Sequence, residues 1–264
     1  MGLIEHIISK SLTQVDFEIL LPELGRDLGQ DEEWCEILVG AARRRIRFHD
    51  YREIYGIPGL YERLFYDILK CVSPRMVRTQ LAHVLAQRGS EPAELRVLDV
   101  GAGNGIVGEE LRELGVGTVF GVDIIEEAAA AAHRDRPGVY DQYLVADLTD
   151  LAPDQRDTLV EADLNTMTTV AALGFDDMSP HAFAAAYNLI STPGLAAFTI
   201  KEDFITSRDA SGFSELINQM FVEEAIRPLV NQRYRHRLSV QGEPLYYVAF
   251  IGEKIEDIPQ AWLD

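Results

Sequence analysis

Cysteine, basic charge and long apolar runs are all scarce in this chain. Its two cysteines, Cys35 and Cys71, show neither the paired spacing of a metal knuckle nor the dense, even pattern of a disulfide framework. Both kinds of staple are thereby excluded, which fits a reducing compartment. Lysine and arginine number 24 against 43 acidic residues, a formal net charge of -19. Such a surface repels phosphate backbones, so nucleic acid is a poor partner unless a basic patch is concentrated somewhere. No apolar run approaches transmembrane length. The opening Met1-Gly2-Leu3-Ile4-Glu5-His6 lacks a cationic stretch before an unbroken apolar core, and His6 stands where a myristoylation start wants Ser or Thr. The expectation is a cytoplasmic protein with no metal and no membrane partner.

What remains is ordinary for a globular chain: 264 residues, 47% hydrophobic and 25% charged. That length suits one large domain with a sizeable appendage. Residues 1–90 read as a helical cap. Ile4, Ile7 and Ile8 share one helix face, and Asp31-Glu32-Glu33 looks like an acidic helix start. Trp34, Leu38 and Ala41/Ala42 would be that helix's buried stripe and Arg43-Arg44-Arg45 its basic end. The segment from Phe48 to Tyr66 is dense in aromatics around Ile57-Pro58-Gly59. It is either a satellite core or a lid over a flat ligand. Ser73-Pro74 starts a further helix, and residues 87–93 read as a linker into a domain covering 91–264.

From Leu95 onward, strands alternate with helices. Val97–Val100, Thr118–Val122, Tyr143–Ala146, Asp157–Ala162 and Leu195–Ile200 read as five strands, and two more, near 232–240 and 245–252, as a hairpin. The pattern implies an α/β fold: a doubly wound, mostly parallel sheet closing with an antiparallel C-terminal hairpin. Ligands of such sheets sit beyond the carboxyl ends of the strands. Here those ends carry Asp99 with Gly101, then Asp123, Asp147, Asp163, and Lys201-Glu202.

The central stretch is Val97-Leu98-Asp99-Val100-Gly101-Ala102-Gly103-Asn104-Gly105, a strand breaking into glycines before a helix. Glycines permit close backbone approach, and the helix start offers free N–H groups. With Gly121-Val122-Asp123 and Val145-Ala146-Asp147-Leu148, this stretch resembles the class I S-adenosylmethionine-dependent methyltransferases over roughly residues 95–253. The resemblance implies a seven-stranded Rossmann-like sheet and S-adenosylmethionine as cofactor. It places the methionine part on Asp99, Gly101, Ala102 and Gly103, the ribose hydroxyls on Asp123, and adenine near Asp147 and Leu148. Ile124, Asp163 and Tyr61 complete the candidate cofactor contacts.

A methyltransferase needs a general base only when its acceptor arrives protonated. His49 and Asp163 are the candidates for that role. Tyr51, Tyr55, Asn165, Lys201, Glu202 and His236 are the candidates for binding the acceptor, expected to be a small, partly apolar molecule. The helical cap would alternatively serve a homodimer. Two other readings stand beside this one. Gly103-Asn104-Gly105-Ile106-Val107-Gly108 satisfies G-x-G-x-x-G with Asp123 downstream, the fingerprint of an NAD(P)-dependent oxidoreductase. The fold could also persist as a module that binds S-adenosylmethionine without turnover.

Overall fold

The computed structural model describes residues 16–23, 25, 28–174, 177–205 and 211–263. The helix expected over Ile4, Ile7 and Ile8 lies outside them. The chain divides into two compact units, Met1–Val72 with Arg235–Leu245, and Ser73–Tyr234 with Tyr246–Asp264.

The first unit is not helical throughout. Its centre is a three-stranded antiparallel sheet of β1 (Glu18–Leu20), β2 (Trp34–Val39) and β3 (Ala42–Arg47). The stretch read as an acidic-to-basic helix is therefore a β-hairpin. Along it Cys35, Ile37 and Ile46 are buried, while Trp34, Glu36, Arg43, Arg45 and Arg47 alternate with them. That period of two belongs to a strand with one covered face. Gly40, at φ +60, makes the tight turn between the strands. The arginines do not end a helix: Arg43 and Arg45 pair with Glu36 across the hairpin. Helix α1 (Tyr51–Gly56) and a π-helical segment, Glu62–Ile68, complete the unit. Phe17, Ile37, Ile46, Phe48, Leu60, Leu64 and Val240 share its core.

One buried ion pair ties the distant segment Arg235–Leu245 into this unit. The Arg237 guanidinium donates to Glu33 at 2.5 Å and to the Leu238 carbonyl at 2.8 Å. The other Glu33 oxygen accepts the Val240 N–H at 2.7 Å. Both side chains are almost fully buried.

In the second unit, α2 (Ser73–Arg88) places Val77, Leu81, Val84 and Leu85 against Val97 and Val119 of the sheet. This is why the units divide at Val72/Ser73 rather than near residue 90. Then follow β4 (Arg96–Val100), α3 (Ile106–Leu114), β5 (Thr118–Asp123), α4 (Glu126–Asp135), β6 (Gln142–Val145) and α5 (Pro153–Glu161). After these come β7 (Thr166–Leu173), α6 (Pro180–Leu189), β8 (Gly194–Lys201), α7 (Phe213–Val222), β9 (Ile226–Leu238) and β10 (Pro244–Lys254). The sheet is seven-stranded in the order β6-β5-β4-β7-β8-β10-β9. β10 runs antiparallel to β8, while the β4, β5, β6, β7 and β8 pairings are parallel. Ser179 caps α6 by accepting the Ala182 N–H at 3.2 Å.

The expected fourth strand, Asp157–Ala162, lies instead at the end of α5 and just beyond it. Pro153 opens that helix at a first-turn position. Leu159 is fully buried while its neighbour Val160 is 59% exposed, so the run has one inward residue per turn. The strand itself begins after Asn165.

Removing one partner of the Glu33–Arg237 pair strands a charge in the first unit's core. Arg237→Ala is expected to cost roughly 3–5 kcal/mol. The double replacement Glu33→Leu with Arg237→Met should recover much of that loss. Urea denaturation of the three proteins checks both.

Candidate functional site

Strand order reverses between β4 and β7, and the loop beyond β4 occupies this switch point. Gly101 and Gly103 take φ +69 and +54, conformations that L side chains resist. The N–H groups of Gly101 and Ala102 both donate to the Val122 carbonyl, at 2.9 and 3.1 Å. The loop is thus fastened to neighbouring β5 before α3 begins.

Gly103 is held at both of its polar atoms. Its N–H donates to Asp123 Oδ2 at 2.9 Å, and its carbonyl accepts the Tyr143 hydroxyl at 2.8 Å. Asp123 Oδ1 accepts the Ile125 N–H at 3.0 Å. Burial raises the Asp123 pKa against the opposing pull of these backbone donors. With Ile124 as a third backbone donor, part of the carboxylate's acceptor capacity remains for a further donor. Beside it Ile124 is 58% exposed, and Val145, its register neighbour on β6, is also exposed.

Asp99, expected to touch the cofactor, is turned inward. It is 1% exposed. Oδ2 accepts the Tyr140 hydroxyl at 2.6 Å and Oδ1 the Thr168 hydroxyl of β7 at 2.7 Å. Burial pushes its pKa up to about 7 despite these two donors, and the Asp123 charge adds to the rise. Burial, with Asp99 next, also holds the Tyr140 phenol well above its usual range; Tyr143 rises through burial and through Asp123 and Asp99. Both phenols therefore remain donors. Asp99 is a positioning residue: it joins β4, β7 and the segment before β6 beneath the loop.

Tyr140, Tyr143 and Thr168 escaped the reading of the sequence, since no local motif contains them. The signal available was indirect. A Cβ at Gly108 would come within 2.8 Å of the Tyr140 ring, and one at Gly121 within 3.1 Å. The third glycine of G-x-G-x-x-G here clears room for a tyrosine. It needs no pyrophosphate to explain it.

Other candidates fall into three places. Asp147 and Leu148 follow β6; Asp147 is exposed and accepts the Thr149 N–H and hydroxyl at 2.8 and 2.7 Å, which lower its pKa. Lys201 and Glu202 close β8, Lys201 bridging Asp203 at 2.7 Å and Glu202 holding Arg233 at 2.9 and 3.0 Å. Asp163 and Asn165, by contrast, precede β7 and lie at the amino edge of the sheet. The Asp163 carboxylate pairs with Arg96 at 2.8 Å, and Asn165 Oδ1 accepts the Arg96 N–H at 2.9 Å, both at the start of β4. Neither can act at the carboxyl end. The misplacement follows directly from reading α5 as a strand.

His49, Tyr51, Tyr55, Tyr61 and His236 belong to the first unit. The tyrosines form a row, with ring centroids 5.9 Å apart from Tyr51 to Tyr55 and 5.1 Å from Tyr55 to Tyr61. His49 meets Tyr51 edge-on at 5.9 Å. His236 is buried with Nδ1 3.8 Å from the Cys71 sulfur, and burial depresses its pKa well below the usual value. A closed, neutral imidazole is packing, so His236 leaves the set of acceptor contacts. Among the described residues, no helix is long and apolar enough to cross a membrane, and no three His, Cys, Asp or Glu side chains group as a metal site.

Residues 97–194 match the family model described as a methyltransferase domain. No curated protein sequence matches the chain significantly. Among solved structures, it is similar to the magnesium protoporphyrin IX methyltransferase of Synechocystis PCC 6803 with bound SAM. Identity there is 14% over 69% of this chain and 79% of that one, with a TM-score of 0.47. It is likewise similar to the N-methyltransferase NodS of Bradyrhizobium japonicum WM9 in complex with S-adenosyl-L-homocysteine. The figures are 13% identity, 69% and 87% coverage, and a TM-score of 0.48. The match to a methyltransferase domain spans residues 97–194, the stretch that holds the glycine loop, Asp123 and the first parallel strands of the sheet.

Two expectations follow from the tyrosine and carboxyl geometry. Tyr143→Phe frees the Gly103 carbonyl and should weaken cofactor binding roughly fivefold to tenfold with little loss of stability, the weight of one hydrogen bond. Tyr140→Phe deprives a buried carboxyl of a donor and should cost about 1–3 kcal/mol of stability. Calorimetry and chemical denaturation separate the two. For Asp99, a folded-state pKa of about 7 lies above the ordinary 3.8, so the folded protein binds the extra proton between those values. Its contribution is full at low pH and is lost as pH rises toward 7. Melting temperature against pH should therefore slope down more steeply in the wild type than in Asp99→Asn.

Proposed function

We propose that this chain is an S-adenosylmethionine-dependent methyltransferase and that it delivers its methyl group to a small, partly apolar acceptor. The observation that carries the cofactor half is Asp123. Its carboxylate stands at the end of β5, is fixed by the Gly103 and Ile125 N–H groups with Ile124 as a further backbone donor, and keeps part of its acceptor capacity for a ligand. Adjacent hydroxyls of a ribose fit such a group. Exposed Ile124 and Val145 beside it offer an apolar platform for a base, and Asp147 and Leu148 lie just beyond the end of the next strand.

When bound, the cofactor supplies an electrophilic methyl group on a sulfonium. The chain's own part is alignment and exclusion of water. Asp123 and the restrained Gly101–Gly103 backbone would fix the donor's orientation. Tyr140, Tyr143 and Asp99 keep that backbone in place from beneath.

Support for a small acceptor comes from charge. A net charge of -19 opposes nucleic acid. Tyr51 and Tyr55, in a row of packed aromatic rings in the first unit, are our candidates for acceptor contacts, and His49 beside Tyr51 is our candidate base for an acceptor that arrives protonated. Tyr51→Phe should then raise the acceptor KM while leaving cofactor affinity unchanged.

The test of the cofactor reading is calorimetric titration with S-adenosylmethionine, its demethylated product and NAD(H). Micromolar binding of the first two, about -8 kcal/mol, is expected, with none of NAD(H). Asp123→Ala should weaken S-adenosylmethionine roughly a hundredfold, as loss of hydrogen bonds to a charged group implies. Preferential NAD(H) binding would overturn the assignment.

A further inference from the structure

The carboxyl end of β7, across the switch point from the glycine loop, is not an even strand. Thr169 stands opposite Phe198 of β8, and Leu173 stands opposite Ile200. Val170, Ala171 and Ala172 therefore share the one position of Thr199, a bulge with two residues to spare. Ala171 sits at φ +57, a left-handed conformation that strains any residue with a Cβ. The three residues are half-buried, whereas Thr166–Thr169 and Leu173 are buried.

One side chain holds this bulge. The Ala171 N–H, displaced from the ladder, donates to the Thr199 hydroxyl at 2.8 Å. Thr199 is fully buried, and β10 keeps it in register from the other side through Ala249. Ala172, next along the bulge, lies against the loop beyond β4. A Cβ at Gly101 would come within 2.9 Å of the Ala172 methyl and 3.6 Å of Met178 Cε. Gly101 is thus set from two sides: Val122 takes its N–H, and Ala172 fills the space beside its Cα. An even ladder would pair the same backbone groups without strain. What the bulge adds is the placing of Ala172, and bulges beside ligand sites re-aim side chains in this way.

We propose that Thr199 is a positioning residue of the methyl donor's site. Its hydroxyl fixes the strained bulge, and the bulge holds Ala172 against Gly101 as the wall of that site on the β7 side. Thr199, closed off from solvent, acts only through Ala172. The inference rests on the cofactor reading given above.

Calorimetry with S-adenosylmethionine tests it. Thr199→Val keeps the shape but removes the acceptor, and should weaken binding about tenfold, the scale of one hydrogen bond. Thr199→Ser keeps the hydroxyl and should bind as the wild type does. Ala172→Gly removes the wall and should weaken binding by a similar factor. Thr199→Val combined with Ala172→Gly should lose no more than the weaker single variant, because residues acting through one contact are not additive. In the unliganded protein, the Ala171 amide should exchange slowly with Thr or Ser at 199 and faster with Val. Should Thr199→Val not fold, Thr199→Ala serves in the same cycle. Unaltered affinity in either single variant, additive losses in the double one, or an equally protected Ala171 amide in Thr199→Val would overturn the proposal and leave the cofactor reading in place. A wild type that binds no S-adenosylmethionine would overturn both.

Discussion

The second unit depends on one buried acid. Asp99 brings a carboxyl into the sheet's centre, where leaving either oxygen unpaired would be costly. Hydroxyls from Thr168 and Tyr140 resolve that cost. In doing so they join the first strand of the sheet to the strand across the switch point and to the segment leading into β6. A hydrophobic residue at this place would pack without directing anything. The carboxyl prescribes where two hydroxyls must be, and the Tyr140 ring then sets how close α3 and β5 can come. Gly108 and Gly121 are the visible result, since each yields its side chain to that ring.

Above this foundation, the loop separates its tasks. Val122 takes two amides, Asp123 takes the next, and Tyr143 takes the carbonyl of the same residue. Few backbone atoms between Gly101 and Gly103 are therefore left to reorganise when a ligand arrives. Such preorganisation lowers the ordering cost of binding. Asp123 serves the loop directly, and in the proposed complex it serves the ligand as well.

Much of this was legible in the residues, and unevenly so. The glycine loop, Asp123, Asp147 and the terminal hairpin declare themselves because their physics is local: a strand stops, glycines permit a turn, an acid follows. Asp163 was misplaced because Leu159, Val160 and Ala162 make a short apolar run that period alone cannot assign to strand or helix. Pro153 at a first-turn position held the answer. In the first unit, Trp34, Leu38 and Ala42 satisfy helical spacing by coincidence while Cys35, Ile37 and Ile46 satisfy a strand's, and Gly40 decides between them. Tyr140 and Thr168 were beyond reach for another reason. Their partner lies 41 and 69 residues away, and only the folded sheet makes them neighbours.

The Glu33–Arg237 pair joins residues 204 positions apart, and this has a meaning for the order of events during synthesis. Glu33 leaves the ribosome long before its counter-charge exists. At about 5–20 residues per second, the interval is on the order of ten to forty seconds. Over that time the first-made segment lacks the guanidinium that neutralises its buried acid, and the strand of residues that closes its core. The intervening chain, which holds the glycine loop and the parallel strands, emerges in that same interval. The first unit, though most of it is translated before the glycine loop, thus finishes folding only after the parallel strands have been made.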